Sequence, residues 1–361
     1  MRTAPGSKAF EGLTFASTLP VSKAPAKSLA RPTVAVVLCT WRAGEHFERQ
    51  LDSLDAQSWP AHVHVFDDHS GDSTATRARA HPVVHRVIEK ARNRGFVANF
   101  ETGLAHVLAL GYDYIAFCDQ DDHWHPERLS AGMAELLATE RQTSKDTPVL
   151  VHSDLRLIDS DDRELHASFL AWRGYATDKT RNLAVMLGQC GVMGNTILMN
   201  RALAKLTLPF PPDLFVHDWW TGLLAELWGQ RVFLPQATVD YRLHASNTCN
   251  TLERSRRGVL ATLDSIDMRA FFKADLRLPF LEDRRVEALE HLLAGDAHRP
   301  ALGGDARRTI EHFVDYLRLR GSRTALLRET LRRGYIKRGL IHRLRFSLAL
   351  LLTRRYSSAA R

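Results

Sequence analysis

Residues 112–122 read YDYIAFCDQDD, an apolar run that stops abruptly at a cluster of carboxylates. Tyr112 to Cys118 reads as a strand, and Asp119-Gln120-Asp121-Asp122 makes an acidic turn at its end. The chain before it repeats the pattern. Val34 to Cys39 (VAVVLC) is a continuous apolar run that suits a strand buried on both faces, followed by Phe47, Leu51 and Leu54 at helical spacing. His62 to Phe66 reads as a strand ending in Asp67-Asp68, Val83 to Ile88 as another, and Phe96 to Leu110 as a helix. Strand and helix alternate, which predicts a largely parallel, doubly wound sheet. Such sheets bind ligands beyond the carboxyl ends of their strands. Three polar clusters fall there: Thr40-Trp41-Arg42, Asp67-Asp68, and Asp119 to Asp122. No GxGxxG follows the first strand, which argues against a dinucleotide-binding domain.

After residue 148 the order becomes mixed. Val149 to Val151 and Thr196 to Met199 read as strands. Asp218 to Trp228 reads as a helix with Trp219, Trp220, Leu223, Leu224 and Leu227 on one broad face, and Val232 to Leu234 with Thr238 to Arg242 as a final strand pair. Beyond about residue 252 only helical patterns remain. Residues 1–31 carry Pro5, Pro20 and Pro25 among Ser, Ala and Lys and read as a flexible arm. The expected organisation is this arm, an α/β domain over 32–250, and a helical, basic region over 251–361.

Composition narrows the class. With 45% hydrophobic and 25% charged residues among 361, the chain has what an ordinary globular core needs. No run approaches the roughly 20 apolar residues of a membrane-spanning helix, and the N-terminus lacks a signal-like apolar core. Cys39, Cys118, Cys190 and Cys249 form no CxxC pair, so they read as buried thiols in a reducing cytoplasm rather than a zinc site. The net charge of +8 is uneven: residues 318–355 hold twelve Lys or Arg against one acid, Glu329. Leu340, Leu344 and Leu348 line one helical face of this tail, with Arg338, His342 and Arg345 opposite. A basic amphipathic helix suits an anionic membrane surface, and packing on the body or a dimer contact are its alternatives. Nucleic acid is not an expected partner, because the tail lacks interleaved aromatics and any reader motif.

The acidic turn carries the chemistry. Alternation at a strand end puts Asp119 and Asp121 toward one ligand. Crowded carboxylates repel one another unless a cation lies between them, and hard oxygen ligands favour Mg²⁺ or Mn²⁺. A departing nucleoside diphosphate needs such an ion as negative charge builds on it. A phosphatase, a nucleotidyltransferase or a plain solvated loop would show the same turn.

The segments TVAVVLCTWRAGEHFERQLDSLDAQSW, VHVFDDHSGDST, NRGFVANFETGL and YIAFCDQDDHWHPERL, in that order, resemble family 2 glycosyltransferases of the GT-A fold. VHSDLRLID, GNTILMNR, HDWW and YRLHASNT look like the branch that contains bacterial rhamnosyltransferases. The resemblance implies a GT-A-like mixed sheet flanked by helices. It implies that Asp68 accepts a base N–H, that Cys39 and Thr40 line the nucleotide pocket, and that Asn93 and Gly95 belong to the loop closing over the nucleotide. Asp119 would lie near the ribose, and Asp121 would bind the metal.

Inverting transfer needs a carboxylate to take the acceptor hydroxyl's proton, and Asp218 of HDWW holds the matching position, where a helix N-terminus favours its ionised form. The competing reading is that Asp218 merely starts the helix. Trp219 and Trp220 read as partly core, with one stacking on a sugar face. His244 matches a histidine that completes the metal shell in this fold, although a lone histidine after a strand also serves as a structural hydrogen-bonding group. Gly191 and Gly194 keep the backbone permissive on the acceptor side, where GVMGNT replaces the branch's usual VTGC. The expected reaction is inverting transfer of rhamnose from dTDP-rhamnose to a glycan or polyprenyl-linked glycan in cell-surface polysaccharide synthesis. A UDP-hexose donor is the runner-up. A metal-dependent phosphohydrolase, or a membrane- or nucleic-acid-binding protein with an inactive transferase domain, are readings from other classes. The expected location is cytoplasmic, at the inner face of the membrane if the tail binds it.

Overall fold

The computed structural model describes residues 31–175, 182–212, 214–243, 285–295, 297–335 and 347. The arm, Cys249, His244 and nearly all of the basic tail helix lie outside these residues.

The first strand, β1 (Val34–Thr40), is buried at all seven positions, as its unbroken apolar run requires. Its alternate residues feed two cores. Val34, Val36 and Leu38 face one, and Ala35, Val37 and Cys39 face the other. Helix α1 (Phe47–Asp55) buries Phe47, Leu51 and Leu54, the residues at helical spacing. Then come β2 (Ala61–Asp67), α2 (Thr74–Ala80), β3 (Val84–Glu89), α3 (Phe96–Ala109) and β4 (Tyr114–Cys118). Strands β3, β2, β1 and β4 lie side by side and parallel, so the ends of β1, β2 and β4 share one edge of the sheet.

The remainder is β5 (His123–Trp124), α4 (Arg128–Gln142), β6 (Val149–Ile158), β7 (Glu164–His166), α5 (Phe169–Trp172), α6 (Leu183–Gln189), a 3₁₀ turn (Gly194–Thr196), β8 (Leu198–Asn200), α7 (Arg201–Thr207), α8 (His217–Trp228) and β9 (Gln230–Arg242). The sheet is mixed. Strand β8 runs antiparallel to both β4 and β6, which departs from a largely parallel plan, while β6 and β9 are parallel.

Several boundaries differ from the sequence reading: β4 begins at Tyr114 rather than Tyr112, and β8 at Leu198, because Thr196 belongs to the 3₁₀ turn. Strand β6 continues seven residues past Val151 to Ile158. Its polar interior is satisfied by tertiary partners: Ser153 Oγ lies 2.6 Å from Thr238 Oγ1, and Asp154 accepts from the Leu170 amide at 3.1 Å. The expected pair over Val232–Leu234 and Thr238–Arg242 is one strand, β9. Leu234 pairs with Ser153 and Ala237 with Asp154, so the intervening residues form a bulge. Pro235, which has no N–H for a ladder bond, sits there.

Three C-terminal helices complete the fold: α9 (Arg285–Ala294), α10 (Gly304–Leu317) and α11 (Arg323–Arg333). They share one apolar core with α3, α6, α7 and α8. Arg299 lies between these helices and the body. Its guanidinium donates to the carbonyls of Leu206, Thr207 and Pro209 and lies 4.9 Å over the Trp220 ring. Among the described residues, no helix is long and apolar enough to cross a membrane.

Candidate active site

The edge where β1, β2 and β4 end is braced by its own polar side chains. Thr40 is buried, and its hydroxyl donates to Asp67 Oδ1 at 3.0 Å. Asp67 also accepts from the Ser70 amide at 2.9 Å and from the Ser70 hydroxyl. Thr40 therefore supports the edge from beneath, tying the end of β1 to the turn after β2. Beside it, burial holds the Cys39 thiol well above its ordinary pKa, and Lys90, Asp119 and Asp68 also act on it electrostatically. Cys39 thus stands between the two acidic ends.

Asp68 is only 2% exposed, and the loop after β3 uses its carboxylate. The amide of Arg94 donates to both oxygens, at 3.1 and 3.0 Å, and the amide of Gly95 to Oδ2 at 2.7 Å. Lys90 Nζ is 3.5 Å away, and Asn93 Oδ1 accepts from the same Gly95 amide at 3.1 Å. Gly95 has φ 84° and ψ 160°, a conformation open essentially to glycine alone. Asp68, Asn93 and Gly95 are therefore one unit. In this structure Asp68 anchors the loop, and a base N–H would have to share its carboxylate with two backbone amides.

At the end of β4, Gln120 accepts from the Trp41 amide at 2.8 Å and donates back to its carbonyl at 3.3 Å, clipping the β1 and β4 loops together. Asp119 and Asp121 are partly exposed, whereas Asp122 is buried. Burial pushes Asp119 up to about 7, with the charges of Asp121 and Asp218 adding to the shift. Asp122 is also held well above the usual carboxylate range, chiefly by burial. It accepts from Asn195 Nδ2 and from the Arg242 amide at 3.2 Å. The Arg242 side chain donates to the carbonyls of Asp121 and Asp159 at 3.2 and 3.0 Å. Asp122 thus shapes the turn, and Asp119 and Asp121 remain its partly exposed carboxylates.

Asp218 lies in the first turn of α8. Its carboxylate accepts from the Trp219 amide at 2.5 Å and from the Gly194 amide. Burial outweighs those bonds and pushes its pKa up to about 7. Gly194 is required for lateral room, not for an unusual backbone angle. A Cβ there would sit 2.9 Å from His217 Nε2 and 3.8 Å from Asp218 Cβ. The structure thus brings Asp218, Gly194, Asp119 and Asp121 together.

The tryptophans are a correction. Trp219 is buried, and Trp220 is 0% exposed, with Nε1 donating to the Thr207 carbonyl at 3.1 Å. Both side chains belong to the core shared by α6–α8 and the C-terminal helices, so neither presents a face to a sugar.

Among the described residues, no group of three or more His, Cys, Asp or Glu side chains is arranged to hold a metal ion. The paired oxygen donors of Asp119 and Asp121 nevertheless suit a hard divalent cation, since their mutual repulsion is what such an ion relieves. His244, the other expected ligand, lies outside the described residues.

Sequence reasoning missed Gln120, Asn195, Arg242 and His217. For His217 a signal existed, a histidine beside the candidate base in HDWW. The other three reveal their roles only through partners far along the chain.

Residues 35–205 match the family model described as Glycosyl transferase family 2, a span that ends before α8 and Asp218. An uncharacterized protein of Mycobacterium tuberculosis (strain ATCC 25618 / H37Rv) is 25% identical over 250 residues, covering 64% of this chain and 67% of its own. The galactofuranosyltransferase GlfT1 of the same organism is 33% identical over 115 residues, 31% of this chain and 37% of its own. Among solved structures, S. aureus TarS 1-349 in complex with UDP-GlcNAc superposes with a TM-score of 0.50 at 13% identity, covering 88% of this chain and 90% of that one. The fold is GT-A-like, a mixed sheet with flanking helices and a helical C-terminal region.

Proposed function

We infer, from a chain whose residues 35–205 belong to glycosyl transferase family 2 and make it a glycosyltransferase, that it transfers a sugar from a nucleotide-sugar to a glycan hydroxyl with inversion. The observation that carries this reading is the approach of Asp218 to Asp119 and Asp121, close enough for its charge to raise Asp119. Single displacement needs a base on one side of the anomeric carbon and a home for the diphosphate on the other. Asp218 takes the proton from the acceptor hydroxyl. A carboxylate with a pKa near 7 is a far better base than one near 4, because the proton then leaves without a steep uphill step. Asp121, with Asp119 beside it, would hold a Mn²⁺ or Mg²⁺ ion. When bound, that ion neutralises charge on the departing diphosphate. The Asp68-anchored loop at 93–95 orients the nucleotide, and the Trp41–Gln120 clip fixes the distance between its two sides.

The donor we propose is dTDP-rhamnose, with a glycan or polyprenyl-linked glycan as acceptor at the cytoplasmic face of the membrane, held there by the basic tail. Transfer of a hexose from a UDP donor is the second reading, favoured by similarity to a galactofuranosyltransferase. A donor panel of dTDP-rhamnose and UDP-hexoses, assayed with and without glycan acceptors and Mn²⁺, tests it. Donor consumption that requires the acceptor is the expected result. Equally fast release of phosphate without any acceptor would mean a phosphohydrolase. Cosedimentation with anionic vesicles tests the tail: removing residues 336–361 should weaken it, and an unchanged pellet would remove the membrane assignment.

A further inference from the structure

Arg242 ends β9 and carries a full charge into the interior, with 1% of its side chain exposed. The guanidinium spreads its N–H groups over two turns. Nε donates to the Asp121 carbonyl at 3.2 Å, Nη1 donates to the Asp159 carbonyl at 3.0 Å, and Nη2 lies 2.6 Å from Asp162 Oδ1. The backbone amide of the same residue donates to Asp122 at 3.2 Å. Arg242 therefore holds two consecutive members of the acidic turn, one by its carbonyl and the next by its carboxylate. A buried ion pair is poor evidence of a gain in stability, because both charges give up water to form it. What the planar fork supplies is direction, since one rigid group fixes several bonds at once.

The counter-ion lies on the far side of that fork. Asp162 is half-exposed, sits in the turn between β6 and β7, and offers its other oxygen to Arg49 of α1. The turn closes on Asp159. Its carboxylate accepts from the Asp161 and Arg163 amides at 2.9 Å each, and its carbonyl accepts from the Asp162 amide at 3.2 Å. This turn is an anchor, and Arg242 links it to Asp121. Without Asp162, the charge of Arg242 would stand uncompensated near the carboxylates that suit a divalent cation, and like charges repel.

We propose that Arg242, tethered by Asp162, is a positioning residue that sets the direction of the Asp121 carboxylate toward the divalent cation. This rests on the reading above that Asp121 holds that ion. The bond to its carbonyl fixes the peptide plane that follows Asp121, and the bond to Asp122 fixes the next residue. The Cα that carries the Asp121 carboxylate then has little freedom to swing.

The test titrates Mn²⁺ into the full chain holding UDP or dTDP and follows the loss of the free ion's paramagnetic resonance signal. In Arg242→Gln the Mn²⁺ affinity should fall about tenfold or more, the usual effect of losing a group that orients a ligand. Nucleotide affinity measured in EDTA should stay unchanged. Arg242→Lys, which keeps the charge but not the fork, should recover part of the loss. Asp162→Asn should weaken Mn²⁺ about threefold, in keeping with a half-exposed ion pair, and it carries the test alone if the Arg242 variants do not fold. Arg49→Gln breaks the other bond of the same carboxylate and should leave Mn²⁺ affinity as it is. Wild-type Mn²⁺ affinity in Asp162→Asn and Arg242→Gln would overturn the assignment. So would an equal loss in Arg49→Gln, or a matching loss of nucleotide affinity in EDTA. A wild-type complex that takes up no Mn²⁺ would remove the metal reading together with this one, while the donor panel decides the transferase reading separately.

Discussion

Replacing Asp218 by Asn should separate catalysis from stability, because the structure asks one carboxylate to work against both. The amide keeps an oxygen for the Trp219 and Gly194 amides, so the turn should hold its shape. The wild-type group has a folded pKa of about 7 against an ordinary 3.8. Folding therefore takes up a proton between those values, and the associated stability is lost as pH rises through 7. At pH 8 the buried carboxyl lowers stability by about 4 kcal/mol, and at pH 5, where it folds protonated, by about 2 kcal/mol. Asn carries no charge at any pH, so the variant should gain most at high pH. For a folded unit of this size the gain at pH 8 is about 6 °C in melting temperature. Transfer should fall about 10²- to 10⁴-fold, the usual contribution of a positioned base, with donor affinity almost unchanged. Melting both proteins in EDTA from pH 5 to 8, beside a coupled assay for nucleoside diphosphate release, measures all three quantities. A stability difference that does not grow with pH, or transfer above a tenth of wild type, would refute the reasoning.

Other perturbations follow from single contacts. Asp121→Asn should abolish the extra thermal stabilisation that Mn²⁺ gives a nucleoside diphosphate complex, and EDTA should do the same to the wild type; equal shifts in both proteins would remove Asp121 as a ligand. Gly194→Ala pushes a methyl against His217 and displaces the base, so transfer should drop about tenfold or more while circular dichroism stays native. Asp122→Ala leaves the Asn195 amide and the Arg242 N–H without their acceptor and should cost about 3 kcal/mol in urea unfolding; a cost under about 1 kcal/mol would deny it the role of tying the turn together.

The parallel half of the sheet was legible because its strands carry their own signal. Strand β1 is apolar at nearly every position because helices cover both faces, and β4 stops at Asp119 because the chain leaves the core there. The second half hid its pattern. His152, Ser153 and Asp154 are buried polar residues inside β6, and they read as loop until Thr238 and Leu170 are found beside them. Pro235 split β9 in the sequence for the reason it bulges in the fold. Within the site, the carboxylates announced themselves by type and by place at strand ends. Trp219 and Trp220 misled because an aromatic pair beside a candidate base fits a sugar platform and a helix core equally well. Helix α8 settles the matter by turning both side chains inward.

The guanidinium of Arg299 bears on how this gene can be divided. A clone ending near codon 250, where the strands stop and a domain border looks natural, would remove the arginine that covers Trp220 and the carbonyls of Leu206, Thr207 and Pro209. It would also strip α9–α11 from the apolar face they share with α6–α8. The shortened product would display a broad greasy surface and invite chaperones and proteases rather than substrates. Chimeras that graft a new acceptor side onto this scaffold should therefore carry residues 285–335 along with α8, as one inherited block.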